Sequence, residues 1–142
     1  MLPLILFYLT LILCAALAGV FWFMQVAYYP AFRYVSPEKW AAFFKKRYQN
    51  TAMVVYPIMA FETLSSLALF FMMLRHRMYA GFSIATFLLL AIWLWNLLVL
   101  KRQMDSLSEG ADEARLKALE KAGWVRAGGY TLRLLFLIGS LT

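Results

Sequence analysis

Four apolar stretches constrain this chain more than any other feature, because each is long enough to cross a membrane as a helix. The hydrocarbon core of a bilayer is about 30 Å thick, so a helix needs about 20 residues to span it. Lipid offers no hydrogen-bond partner to a backbone amide, which leaves the α-helix as the expected conformation. We therefore predict one all-α domain over residues 1–142, an integral membrane four-helix bundle with spans at about residues 2–29, 52–74, 79–100 and 123–141.

The composition agrees with a protein whose solvent is lipid. Hydrophobic residues make up 64% of the chain and charged residues 15%, whereas soluble domains are roughly half apolar and a quarter charged. The first apolar stretch lacks a preceding basic segment and continues almost wholly apolar through Ala27. We expect it to be a retained span and not a cleaved signal peptide.

The basic residues predict how the chain is oriented. The formal net charge is +7, and the cations cluster in the loops between spans, which favours topology signals and anionic-lipid contacts over nucleic-acid binding. Only Arg75 and Arg77 lie in the second loop. Ten basic residues lie in the first and third loops together. This excess predicts that these two loops are cytoplasmic and that both termini face outward. The ten are Arg33, Lys39, Lys45, Lys46 and Arg47 in the first loop, and Lys101, Arg102, Arg115, Lys117 and Lys121 in the third.

Each cytoplasmic loop also carries a pattern typical of a surface helix. Ser36-Pro37-Glu38 is a helix start, and aromatic residues then recur at helical spacing on a basic helix that leads into span two. These aromatic residues are Trp40, Phe43, Phe44 and Tyr48. In the third loop, residues 111–122 have acidic residues early and lysines late. We expect a Glu113–Lys117 pair there and a helix end at Gly123.

Glu62 and Arg133 are the candidate catalytic residues, because each is ionisable and lies near the middle of a span. Charges at such depth are costly, so they usually pair with each other or face a cavity. Both lie about ten residues from the cytoplasmic end of their helices, which permits a direct ion pair. Two interpretations remain open: a site that handles a proton or an anionic group, and a structural clasp between two helices.

Further polar residues lie in the cytoplasmic half of all four spans and predict a pocket with Glu62 and Arg133 at its floor. Arg126 shares a helix face with Arg133. Two cations indicate a ligand with an apolar body and an anionic or carbonyl group, such as a lipid, a quinone or a polyketide-like ring. The alternative is hydrogen bonding between helices. The predicted ligand-binding residues are Gln25, Tyr29, Glu62, Asn96, Arg126, Tyr130 and Arg133.

Metal binding is not expected. Cys14 is the only cysteine and His76 the only histidine, whereas a structural zinc site needs four such ligands. Cys14 lies in an apolar run, where a packed thiol is typical. His76 lies in a short external turn, where a solvated side chain is expected.

Three short motifs resemble a family of small bacterial four-span membrane proteins related to the anthrone-oxygenase-like proteins. They are Tyr29-Pro30-Ala31-Phe32, the segment from Pro57 to Glu62, and Trp124-Val125-Arg126 followed by Tyr130-Thr131-Leu132-Arg133. The resemblance implies a four-span fold in the bacterial inner membrane with polar positions at Glu62, Arg126 and Arg133, and it implies little about activity.

A fainter resemblance is to the HemJ-type protoporphyrinogen oxidases, whose first span also ends in an aromatic-Pro segment. Those proteins place a histidine that resembles a haem ligand shortly afterwards, where this chain has Ser36. Many relatives in the first family carry loop histidines near positions where this chain has Phe44, Arg47 and Gln103. The resemblances therefore imply neither haem nor a metal, and no cofactor is expected.

Three functions fit these observations. The first is a membrane protein that binds a small apolar ligand in the cytoplasm-facing pocket. The second is a cofactor-free membrane enzyme in which Glu62 accepts a proton and Arg133 stabilises an enolate-like anion. The third is an accessory subunit of a larger membrane complex, in which the pair has only a structural role.

Overall fold

The computed structural model describes residues 1–74 and 80–141. The predicted second loop with Arg75, His76 and Arg77 lies outside these residues, as does Tyr79, the predicted start of span three. The helices are α1 (Leu2–Phe23), α2 (Trp40–Met73), α3 (Ala80–Trp95), α4 (Lys101–Ser108) and α5 (Glu113–Gly139). Single π-helical turns follow α1 at Met24–Tyr28 and α3 at Asn96–Leu100, and 3-10 turns at Pro30–Tyr34 and Pro37–Lys39 lead into α2.

The four long helices form an up-down-up-down bundle. The Oγ atoms of Thr10 and Ser65 lie 2.9 Å apart, and Tyr28 Oη lies 2.8 Å from Thr51 Oγ1, so α1 and α2 run antiparallel. Hydrogen bonds from Trp95 to Ala122 O and from Arg133 to Ala85 O show that α3 and α5 also run antiparallel. α1 packs against α2 and α5, α3 packs against α5, and the contact between α2 and α3 is the thinnest. The helices therefore surround a common centre in the order α1, α2, α3, α5.

Three helices among the described residues are long and apolar enough to cross a membrane. They cover Leu2–Tyr34, Pro37–Met73 and Ala80–Ser108, where the third continues from α3 through the π-helical turn into α4. The bundle is therefore compatible with a membrane protein, as predicted. α5 contains most of the predicted fourth span but does not reach the same apolarity, because Arg126 and Arg133 lie within it.

The two predicted surface helices do not exist as separate elements. The first is continuous with α2, although the helical start at Pro37 is present. The second is the beginning of α5, which passes through Gly123 without a break. A Cβ atom at Gly123 would lie 2.4 Å from Gln25 Nε2. The glycine thus permits close contact between α1 and α5, and the prediction that it ends the helix is wrong.

Two residues of the aromatic stripe at the start of α2, Trp40 and Phe44, pack into the protein, and Phe43 and Tyr48 are half-buried. The rings of Trp40 and Phe44 lie 5.6 Å and 6.2 Å from that of Phe32, and both side chains are buried. Trp40 Nε1 also donates a hydrogen bond of 2.8 Å to Leu107 O at the end of α4. This cluster fastens the turn between α4 and α5 onto the bundle. We call this side of the molecule the hairpin end, and the side with the chain termini the terminal end.

Candidate functional site

Glu62 and Arg133 meet in the centre of the bundle, where neither side chain has any exposed surface. Arg133 Nη1 forms an ion pair with Glu62 Oε1. The two residues belong to α5 and α2, which lie diagonally opposite each other in the ring. Their side chains therefore reach across the centre, and both face the interior as the sequence analysis expected.

Two further nitrogen atoms of Arg133 donate hydrogen bonds, whereas Nη1 and both carboxylate oxygens of Glu62 have no hydrogen-bond partner among the described residues beyond the ion pair. Nε donates a hydrogen bond of 3.0 Å to Ala85 O in α3, and Nη2 donates one of 2.8 Å to Ser66 Oγ in α2. Ser66 in turn donates to Glu62 O at 2.8 Å. The guanidinium group of Arg133 thus links α5 to both α2 and α3. These two helices have the thinnest contact of any neighbouring pair in the bundle. Removing one partner of such a buried pair costs about 3–5 kcal/mol.

Arg126 is the second buried cation, and its surroundings are different. Its Nη2 donates to Tyr29 Oη at 2.9 Å and approaches Met24 Sδ at 3.8 Å, and its Cζ lies 4.0 Å from the centre of the Phe21 ring. Its buried Nε has no hydrogen-bond partner. Within residues 1–74 and 80–141, no carboxylate forms an ion pair with it. A buried charge of this kind is normally paired.

The interior consequently carries an excess of positive charge. Glu62, Arg126 and Arg133 are the buried charged residues in the described part of the chain, and two cations against one anion leave a formal charge of +1. Tyr130 lies on the same helix between the two arginines, three residues from one and four from the other. Its hydroxyl group is buried and has no partner among the described residues.

Gln25 is the second residue of one π-helical turn, and Asn96 is the first residue of the other. Gln25 Nε2 donates to Glu120 O at 3.3 Å, whereas its Oε1 has no partner. Both amide atoms of Asn96 are buried without a hydrogen-bond partner in the described structure. Buried polar groups without a partner are rare in proteins and often indicate a bound water, ion or ligand.

A small cavity adjoins Arg126 in the half of the bundle nearest the hairpin end. Its volume is about 40 Å³, room for about three water molecules at 10–15 Å³ each. Thr51 and Tyr56 are among the residues of its wall, together with the apolar residues Met24, Val55 and Met59. Neither Glu62 nor Arg133 lines it. Arg126, which has no carboxylate partner, therefore borders the cavity, whereas the Glu62–Arg133 pair does not.

All seven predicted ligand-binding residues are buried, but the structure divides them into groups. Arg126 contacts Tyr29, Arg133 contacts Glu62, and Gln25 packs on α5. Of the seven, only Arg126 lines the small cavity. The sequence analysis missed Ser66, which completes the ion pair, and Phe21, which covers Arg126. A buried serine or phenylalanine in an apolar span carries no sequence signal that separates it from ordinary core.

The described residues contain no group of three or more histidine, cysteine, aspartate or glutamate side chains that could hold a metal ion. Cys14 is buried, and its Sγ lies 3.9 Å from Tyr130 O, so the thiol packs beside the central layer.

Comparisons with known protein families, with curated proteins and with solved structures find no match for this chain. The class of protein is therefore defined by the structure itself. It is an all-helical protein with at least three helices able to cross a membrane and with two arginines and one glutamate buried in its interior.

Proposed function

We propose that this chain is a four-span protein of the bacterial inner membrane that binds an apolar ligand with an anionic or carbonyl group. The ligand group binds at Arg126, in the half of the bundle nearest the hairpin end. The observation that carries the proposal is a buried guanidinium without a carboxylate, beside a cavity. An anion there would balance the interior charge of +1 and give Arg126 Nε an acceptor.

The fourth span of this proposal is α5. Its two arginines are buried, so they do not meet lipid. Its exposed large side chains are apolar from Trp124 to Ile138, including Val125, Leu132 and Leu135. A helix whose charges face the bundle and whose apolar side chains face outward can cross a membrane. The resemblance to small bacterial four-span proteins agrees with this arrangement.

The proposed orientation places the hairpin end in the cytoplasm, following the ten-to-two distribution of basic residues. Two single-cysteine variants test it in a Cys14→Ser background. A maleimide that cannot cross the membrane should label Leu2→Cys in intact cells and Ala111→Cys only after permeabilisation. The reverse pattern would refute the orientation without bearing on the ligand.

Native mass spectrometry of the purified protein tests the ligand proposal. We expect the wild-type protein to retain an amphiphile that Arg126→Met loses. Arg102→Met is the matched control, because it removes an exposed arginine of α4 and should retain the ligand. Identical bound species, or none, in all three proteins would contradict the proposal.

An accessory subunit of a larger membrane complex is the second candidate, and the bonds that Arg133 makes to neighbouring helices favour it. These bonds join three helices and border no part of the small cavity. The third candidate, a cofactor-free enzyme with Glu62 as proton acceptor, requires a substrate against Glu62. The absence of any exposed surface on that side chain gives this candidate no support.

A further inference from the structure

A second recess reaches Arg126 from the outer surface of the bundle, between α3 and α5. It has a volume of about 200 Å³. Apolar side chains form nearly all of its wall. α3 contributes Leu88, Ala91 and Trp95, and α5 contributes Val125 and Gly129. Ala91 is exposed and Val125 is 50% exposed. In a bilayer the recess would therefore open sideways to lipid, and we call it the α3–α5 groove.

Small residues keep this groove open. A Cβ atom at Gly129 would lie 3.1 Å from Ile92 Cγ1, which is tighter than an ordinary contact. At the neighbouring Gly128 a Cβ atom would meet nothing within 4 Å. Gly129 thus forms part of the groove wall, whereas Gly128 faces away from the groove.

Arg126 lines both the groove and the small cavity. An apolar recess that ends at a cation suits an amphiphile, with its chain in the groove and its charged group at the guanidinium. A 150 Å³ apolar cavity holds a benzene molecule, so about 200 Å³ has room for about six to eight chain carbons. The remainder of a longer chain would lie in the surrounding lipid.

The interior charge and the shape of the guanidinium narrow the head group. The excess of +1 calls for a single negative charge. A carboxylate carries one negative charge, is planar and matches the guanidinium fork.

We propose, on the basis of the function proposed above, that the ligand is a single-chain carboxylate amphiphile, that is, a long-chain fatty acid. It enters sideways from the bilayer through the α3–α5 groove, and its carboxylate binds Arg126. The ring of Trp95, fixed by a hydrogen bond of 3.0 Å from Nε1 to Ala122 O, forms a rigid part of the groove wall.

Equilibrium binding of radiolabelled palmitate to the full chain in phosphatidylcholine nanodiscs tests this proposal. Gly129→Leu narrows the groove from α5, and Ala91→Phe fills it from the exposed face of α3. We expect each to weaken palmitate binding at least tenfold. The matched controls are Gly128→Leu and Leu94→Phe, which alter exposed positions outside the groove and should leave binding within twofold of wild type.

Two competitors test the head group. Unlabelled hexadecanol has the same chain without a charge, and phosphatidylglycerol has one negative charge on a larger head. We expect neither to displace palmitate at concentrations where unlabelled palmitate does. Displacement by hexadecanol would overturn the carboxylate assignment, and displacement by phosphatidylglycerol would replace the fatty acid with a phospholipid.

The pattern across variants separates this inference from the function on which it rests. If Arg126→Met loses palmitate while both groove variants bind normally, the groove is wrong and the anion site stands. If Arg126→Met also binds palmitate normally, both proposals fail. Thermal unfolding of each variant shows whether it folds. If Gly129→Leu does not fold, Ala91→Phe still tests the groove, because Ala91 is exposed and its replacement should not disturb the core.

Discussion

Arg126 and Arg133 lie two turns apart on the same face of α5, yet the bundle surrounds them differently. Arg133 has a carboxylate, a serine hydroxyl and a backbone carbonyl as partners, and no part of it is exposed. Arg126 has a tyrosine hydroxyl, a thioether and an aromatic face, and it borders a cavity. Arg133 faces a carboxylate, whereas Arg126 has none among the described residues.

This difference shows which charge the fold itself compensates. A buried cation that faces a carboxylate has its charge compensated within the fold, and such a pair can act as a clasp between helices. A buried cation without a carboxylate is destabilising until an anion reaches it. We therefore assign stability to the central pair and ligand binding to Arg126. The predictions below test this division, beginning with the largest expected effect.

Breaking the central pair should cause the largest loss of stability. Glu62→Gln leaves Arg133 buried without a counter-charge, and we expect the free energy of unfolding to fall by about 3–5 kcal/mol. Unfolding by SDS in mild detergent, followed by circular dichroism, measures it. Glu109→Gln is the control, because it removes an exposed carboxylate near the hairpin. A change for Glu62→Gln as small as that of the control would show that the pair does not stabilise the bundle.

Replacing the other arginine should have a smaller effect. Arg126→Met leaves Tyr29 Oη without its partner and removes the contact with Phe21, but it also removes a buried charge without a carboxylate. We expect a net loss of about 1–2 kcal/mol, measured in the same SDS titration. A loss equal to that of Glu62→Gln would indicate that Arg126 is as structural as Arg133.

The sequence predicted that both arginines lie in the interior, but it placed them in one pocket and did not predict the contrast between them. The depth of Glu62 and Arg133 in their spans was enough to expect a pair, because both lie about ten residues from one membrane face. Burial of Arg126 also followed from its position on the same helix face. In each case the cost of placing a charge in lipid leaves few alternatives.

The parts that could not be predicted depend on packing between distant segments. Gly123 reads as a helix end in the sequence, but the approach of Gln25 from α1 gives it another role. The π-helical turns at Gln25 and Asn96 carry no sequence signature. The predicted Glu113–Lys117 pair is replaced, because Arg33 reaches Glu113 from another segment. Local spacing cannot show which distant residue competes for a partner.

Removing both members of the central pair should restore most of the lost stability. Glu62→Gln combined with Arg133→Met removes both charges of the pair, so neither is left without its counter-charge and we expect a net change within about 1 kcal/mol of wild type. A double-mutant cycle by SDS titration gives the coupling energy. On our proposal the double variant also retains the ligand. A folded double variant without ligand would move the binding site to the central pair, which is the arrangement the sequence analysis predicted.

The smallest effect is expected at the hairpin end, where Arg33 bonds to the carboxylates of Glu120 and Glu113. A guanidinium group is charged at neutral and mildly alkaline pH with or without these bonds. Salt is therefore a better probe of this cluster than pH. Its members are partly exposed to solvent, and ions screen exposed charges far more than buried ones.

Arg33→Gln should lower the thermal midpoint slightly in dilute buffer and not measurably in 0.5 M salt. Glu62→Gln should keep its full effect in both conditions. A loss for Arg33→Gln that persists in high salt would mean that the cluster acts as a buried pair, and the contrast between surface and interior charges would then fail at this position.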